Sequence, residues 1–139
     1  MTDTREGKPY NFPDFNVEYV SLPAGDYSVK NYYDKIAIER KSLGDLFSSL
    51  GVNRDKFNYE IERLTYVEQK HIIIEGTLDQ CLHPERFFSK IHPNSVMGSL
   101  ISLAEKGIQV WLAGNHRDGN RLAKRILERF VEKEGKKND

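Results

Sequence analysis

The chain holds one cysteine and one tryptophan, has no net charge, and lacks any long apolar run. Each shortage excludes something. With Cys81 alone, no internal disulfide framework and no cysteine-rich zinc site can form, which fits a reducing compartment. The longest unbroken apolar run is Val110 to Ala113, far short of the roughly 20 residues that span a bilayer. The opening residues Met1-Thr2-Asp3-Thr4-Arg5 carry no apolar h-region, so the expectation is an intracellular, cytoplasmic chain with no membrane contact. Basic and acidic residues balance at 21 each, which argues against nucleic-acid binding through bulk positive charge. A local basic groove beside a carboxylate cluster remains compatible with that balance.

What is present reads as one folded unit. Of 139 residues, 38% are apolar, 30% charged and 11% aromatic, which is a globular rather than a disordered composition. No repeat, linker or low-complexity stretch divides it, so residues 1–131 are expected to form a single domain and 132–139 a frayed, solvated tail.

Val17 to Leu22 is a candidate strand, with Pro23-Ala24-Gly25 as the following turn. Residues 26–30 and 35–41 read as a hairpin around Asn31-Tyr32-Tyr33-Asp34. Leu43, Leu46, Phe47 and Leu50 mark a helix that starts near Ser42 and stops at Gly51. Phe57, Ile61 and Leu64 mark a second helix. His71 to Gly76 and Ile108 to Ala113 have the nearly continuous apolar character of central strands, and Trp111 is a core candidate. Between them, Val96, Met97, Leu100, Ile101 and Ala104 fall on one helical face of residues 93–106, and Ala123, Ile126, Leu127 and Phe130 mark a closing helix. The order predicts an α/β fold, a mixed sheet with helices on both faces.

The hairpin carries the chemistry. A symmetric turn at 31–34 places Val29 opposite Ile36 and Asp26 opposite Glu39. Cross-strand Cβ atoms lie roughly 5 Å apart, and like charges placed there are destabilising without a compensating cation. Period two puts Glu39 and Lys41 on Asp26's face and Arg40 on the other, alongside Ile36 and Ile38. Two oxygen ligands and an ammonium suit phosphodiester hydrolysis, with Mg²⁺ or Mn²⁺ held by the carboxylates and Lys41 orienting water or acting as general base. Asp45, four residues beyond Lys41, is placed to hold Lys41 or Arg40. Glu39-Arg40-Lys41 also fits a solvated strand edge, and the pairing depends on the turn geometry.

Gly25-Asp26, 12 residues, Glu39-Arg40-Lys41, three residues and Asp45 resemble the GD…ERKxxxD signature of the XPF/Mus-type structure-selective nucleases. Asp3-Thr4-Arg5-Glu6 is similar to the short DxRE element that precedes that signature. The stretch from Arg54-Asp55-Lys56-Phe57 through Ile72-Ile73-Ile74-Glu75 is similar to the helix and strand that follow it. The resemblance implies a restriction-endonuclease-like core and divalent-metal-dependent cleavage of DNA, with 5′-phosphate and 3′-hydroxyl ends. It implies Asp26 and Glu39 as metal ligands, Lys41 as the water-positioning group, and Arg40 and Asp45 as completing the signature. Asp3 would be a further ligand and Arg5 would lie near the substrate phosphate. It also implies a homodimer and a branched or flapped DNA substrate. Larger relatives append a tandem helix-hairpin-helix module, and this sequence stops about where that module would begin.

Arg54, Lys56 and Arg63 are candidate phosphate contacts, although Glu60, Glu62 and Glu68 are interleaved with them. The loop 114–120 reads as a turn with Asp118 or Asn120 as helix cap. His71, His83, His92 and His116 lack metal-ligand spacing and read as surface or turn residues. Tyr32 and Tyr33 fit either a hairpin tip or a stacking surface for a base. Two other functions fit the same residues: a pseudonuclease that binds DNA or a catalytic partner without cutting, and a junction resolvase or RNA-directed nuclease of the same fold.

Overall fold

The computed structural model describes residues 2–3, 9–13, 15, 19–20 and 22–137. The strands are β1 (Thr2–Asp3), β2 (Tyr19–Val20), β3 (Ile36–Ser42), β4 (Gln69–Glu75) and β5 (Gln109–Leu112). The helices are α1 (Leu43–Leu50), α2 (Arg54–Thr65), α3 (Leu78–Cys81), α4 (Pro93–Glu105) and α5 (His116–Lys137), with a 3₁₀ turn at Pro84–Phe87. Strands β3, β4 and β5 form a parallel sheet in that order, and the short β1 and β2 pair in parallel. The mixed character expected of the sheet comes from one antiparallel bridge, Tyr27 to Ile38, at the β3 edge.

Alternation along β3 and β4 divides the interior in two. Ala37, Ile72 and Ile74 pack with Leu46, Phe47, Phe57, Ile61 and Val96 on the α1, α2 and α4 side. Ile36, Ile38 and Ile73 pack with Tyr10, Phe12, Tyr27, Leu127 and Phe130 on the α5 side. Three consecutive isoleucines in β4 are fully buried because this strand has a neighbour on each edge and helices over both faces.

Several sequence expectations are corrected. The first hairpin arm is not a strand: Ser28 Oγ donates to the Ile36 carbonyl at 2.6 Å, and the Val29 carbonyl accepts from Tyr32 N at 2.9 Å. A side chain and a turn thus take the acceptors that a ladder would use. Strand β5 is an edge strand, which leaves Trp111 36% exposed and Leu112 39% exposed rather than in the core. On α4 the buried stripe is Val96, Leu100 and Leu103, while Met97 and Ile101 face outward. Asn115 caps α5, its Oδ1 accepting from Asp118 N at 2.8 Å, so neither Asp118 nor Asn120 does. Helix α5 runs to Lys137, into the segment expected as a solvated tail. His71 is buried, with Nδ1 accepting from Trp111 Nε1 at 2.9 Å and Nε2 against Gln69 Oε1 at 3.0 Å. Among the described residues no helix is long and apolar enough to cross a membrane.

Candidate active site

The site grows from the edge where residues 25–27 meet β3. Gly25 adopts φ +73°, and a Cβ there would stand 3.0 Å from the Ile38 carbonyl oxygen. Only glycine tolerates both the left-handed backbone and that approach. Past it, Asp26 N and Tyr27 N donate to Ile38 O at 2.7 and 3.0 Å, and Ile38 N donates to Tyr27 O at 2.9 Å. The Tyr27–Ile38 bridge is the register that sets Asp26 opposite Glu39. Arg40 N donates to Asp26 Oδ2 at 2.8 Å, so the strand's own backbone fixes the first carboxylate.

Asp26, Glu39 and Lys41 open onto one cleft of about 450 Å³. Glu39 is 6% exposed, and Lys41 Nζ lies 3.8 Å from its Oε1. The Lys41 ammonium also sits over the ring of Phe57, a residue of α2, 5.4 Å from its centroid. Asp45 lines the cleft from the first turn of α1, which Ser42 caps by accepting from Asp45 N at 3.2 Å. Lys56 and Arg63 of α2 form the opposite wall with Tyr59 and Glu60.

Arg40 splits between two surfaces. Its backbone serves Asp26, whereas its guanidinium crosses to the α5 side and grips Glu75. Nε reaches Oε2 at 2.9 Å and Nη2 reaches Oε1 at 3.0 Å. Tyr10 Oη donates to Glu75 Oε2 at 2.9 Å, and His116 Nδ1 lies 2.8 Å from the same oxygen. Burial acts to raise the Glu75 carboxyl, but hydrogen bonds from Arg40 and Tyr10 and the Arg40 charge outweigh it and hold it below the ordinary range. Burial first, then the Glu75 charge, pushes the Tyr10 phenol well above its ordinary value, so it stays a donor.

The other predicted residues divide. Arg54 is not brought to the cleft: its Nη1 donates to Ser99 Oγ at 3.1 Å, on the α4 side. Three residues before Phe57 and seven before Ile61, it shares their helical stripe and faces α4 with them. Asp3 falls within β1, paired with Val20, and nothing is described of its side chain. Arg5 lies outside the described residues. Among the described residues no group of three His, Cys, Asp or Glu side chains converges as a metal cage. Two hard carboxylates on one wall are still the donor set that Mg²⁺ or Mn²⁺ takes beside water and phosphate oxygens, so the residues fit such a cation.

Sequence reasoning missed the Glu75–Tyr10–His116 anchor. The legible signal was a carboxylate two residues after Ile73, on the same strand face, at the end of an apolar run. It also missed Tyr59 as a cleft residue.

A family model described as the ERCC4 domain matches residues 2–126. The chain belongs to the ERCC4-domain family. The ERCC4 domain is similar in structure to XPF from Aeropyrum pernix, with a TM-score of 0.67 and 25% identity, covering 94% of this chain and 63% of that one. It is also similar to XPF from Aeropyrum pernix in complex with DNA, with a TM-score of 0.59 and 27% identity, covering 84% of this chain and 54% of that one. The chain therefore spans less than two thirds of the length of either solved relative. No curated protein matches it. The restriction-endonuclease-like α/β fold expected from the signature is the fold these structures share with it.

Proposed function

We propose that this ERCC4 domain is a DNA endonuclease that hydrolyses phosphodiester bonds with Mg²⁺ or Mn²⁺ as cofactor. The observation that carries the reading is the convergence of Asp26, Glu39 and Lys41 on one cleft, beside the Tyr27–Ile38 bridge. Asp26 and Glu39 would hold the cation, with Asp3 a further ligand by family resemblance. Bound there, it would supply Lewis acidity to the scissile phosphate and acidify a water at neutral pH.

The chain's own residues supply the remainder. Lys41, pinned between Glu39 and the Phe57 face, presents its ammonium into the cleft, where it orients the attacking water and offsets charge on the phosphate. Arg40 holds Asp26 through its N–H and is itself locked by Glu75, so the first acid rests on a rigid strand. Asp45 adds a carboxylate at the α1 end. Lys56 and Arg63 contact the phosphates flanking the scissile bond, and Arg5 joins them by resemblance.

Branched or flapped DNA is the proposed substrate. A homodimer is the proposed state, with the exposed Met97 and Ile101 of α4 and Val131 of α5 as candidates for its surface. An intracellular setting is part of the same proposal, supported by the single cysteine.

The test is a panel of end-labelled duplex, 3′-flap, 5′-flap and four-way-junction DNA, incubated with Mn²⁺, with Mg²⁺ and with chelator. Wild type and Glu39→Ala are run in parallel. Metal-dependent cutting of a branched substrate, absent in Glu39→Ala, is the expected result. Binding without cutting under any metal condition would replace this reading with the pseudonuclease one.

A further inference from the structure

Helix α2 carries more than cleft-wall charges. Lys56, Tyr59, Arg63 and Tyr66 are spaced three, four and three residues apart, so they follow one face of α2 and its C-cap. Tyr59 is 61% exposed and Tyr66 79% exposed, unusual for large aromatic rings on a helix that buries Phe57, Ile61 and Leu64 on another side. Cations and rings alternate, and the Arg63 guanidinium sits over the Tyr59 ring, 5.7 Å from its centroid. Arg63 Nη2 also donates to the Leu22 carbonyl at 3.4 Å, which holds the guanidinium at the rim of the cleft.

Arg63 and Ala24 line a second hollow as well, of about 650 Å³, whose other walls include Pro23, Tyr33, Asp34 and Tyr66. The cleft and the hollow therefore adjoin at Ala24 and Arg63. The hollow differs in chemistry: among the described residues its lining holds one cation, Arg63, which is shared with the cleft, and one carboxylate, Asp34. A phosphate is repelled by that carboxylate. A nucleobase is not, because its ring faces meet Tyr33 and Tyr66 while its amino or imino groups can donate to Asp34 or to the side chain of Asn31. The interleaved acids also sort out. Glu62 lines the groove on the α4 side, and Glu68 pairs with Lys35 at 3.3 Å, so Glu60 is the acid of α2 that remains on the cleft face.

We propose that the Lys56–Tyr59–Arg63–Tyr66 face of α2, with the hollow against Tyr33, is a binding track for an unpaired DNA arm continuous with the strand in the cleft. Lys56 and Arg63 follow the backbone, while Tyr59, Tyr66 and Tyr33 stack on bases that only an unpaired strand can splay out. The track rests on the nuclease reading for its direction and deepens it. It makes the single-strand side of a branch, rather than the duplex, the feature this domain recognises. Tyr32 takes no part, because its ring packs edge-on against Phe130 at 5.4 Å.

The test measures affinity by anisotropy in Ca²⁺ and cleavage in Mn²⁺, using the full chain. Three labelled DNAs are compared: a duplex with a thymine arm, the same duplex with an abasic arm of equal length, and blunt duplex. Wild type, Tyr59→Ala/Tyr66→Ala and Tyr59→Phe/Tyr66→Phe are compared on each. Stacking is worth roughly 5- to 100-fold per base, so wild type should bind the thymine arm at least about tenfold more tightly than either other DNA. The double alanine variant should lose that preference, read as the ratio of its thymine-arm affinity to its own blunt-duplex affinity, while the double phenylalanine variant should retain it.

Equal binding of thymine and abasic arms, or an unchanged arm preference in the alanine variant, overturns the track whether or not the protein cuts. A tyrosine-dependent preference without cleavage would keep the track and overturn the nuclease reading instead. A wild type that binds none of the three DNAs overturns the track.

Discussion

Arg40 gives its main-chain N–H to Asp26 Oδ2 at 2.8 Å and its guanidinium to Glu75 on the opposite face of the sheet. One residue thereby ties the first acid of the cleft to a buried anchor that the cleft does not touch. Replacing Asp26 by Asn keeps an oxygen that can accept from Arg40 N but removes the charge. Asp26→Asn should melt near the wild-type temperature yet lose cleavage by about 100-fold or more. Asp26→Ala should in addition lose about 2 kcal/mol of stability, as urea unfolding would show.

The Arg40–Glu75 pair is buried on both sides, with side chains 9% and 6% exposed. Removing one partner strands the other. Glu75→Ala should cost about 3–5 kcal/mol, and Arg40→Met with Glu75→Leu together should cost less than the sum of the single changes. Denaturant unfolding of the three variants measures both statements; additive losses would mean the pair is not coupled.

His71 supplies a pH dependence with a defined sign. Burial lowers its ring to about 4, against an ordinary value of 6.5. The unfolded chain therefore takes up a proton between pH 6.5 and 4 that the folded chain refuses. Stability from this group is full above pH 6.5 and falls as pH drops toward 4, by about 3 kcal/mol in all. His71→Gln should flatten that part of the stability profile, measured as the slope of unfolding free energy against pH.

Gly25→Ala should fail for two reasons at one position, the positive φ and the Ile38 carbonyl. A loss of about 2 kcal/mol is expected. Cleavage should drop with it, because the same turn sets Asp26 N on Ile38 O. Thermal unfolding and single-turnover cleavage on one preparation check both.

Much of the fold was legible because alternation and helical spacing are local. Leu43, Leu46, Phe47 and Leu50 between Ser42 and Gly51 gave α1 with its capping residues, and Phe57, Ile61 and Leu64 gave α2. The Asp26–Glu39 placement is expected from a symmetric turn at 31–34. The structure reaches it by another route, two successive turns with Tyr32 N on Val29 O and Lys35 N on Tyr32 O, and one bridge from Tyr27 to Ile38. What escaped depends on distant neighbours. Trp111 lies in a short apolar run, but only strand order makes β5 an edge. His71 looks like a surface histidine until Trp111, 40 residues away, donates to it. Arg54 and Lys56 look alike as charges two residues apart, yet α4 claims the first and the cleft the second. The Glu75 anchor joins Tyr10, Arg40 and His116 from three separate segments, which no spacing rule brings together.

The most direct test of the central claim is single-turnover cleavage of one labelled flap DNA in Mn²⁺ by wild type, Glu39→Gln and Lys41→Met, with DNA binding and thermal unfolding measured on the same samples. Each variant should fold, bind within a few-fold of wild type, and cut at least about 100-fold more slowly. A Lys41→Met or Glu39→Gln protein that cuts at the wild-type rate would contradict the account and move the chemistry out of this cleft.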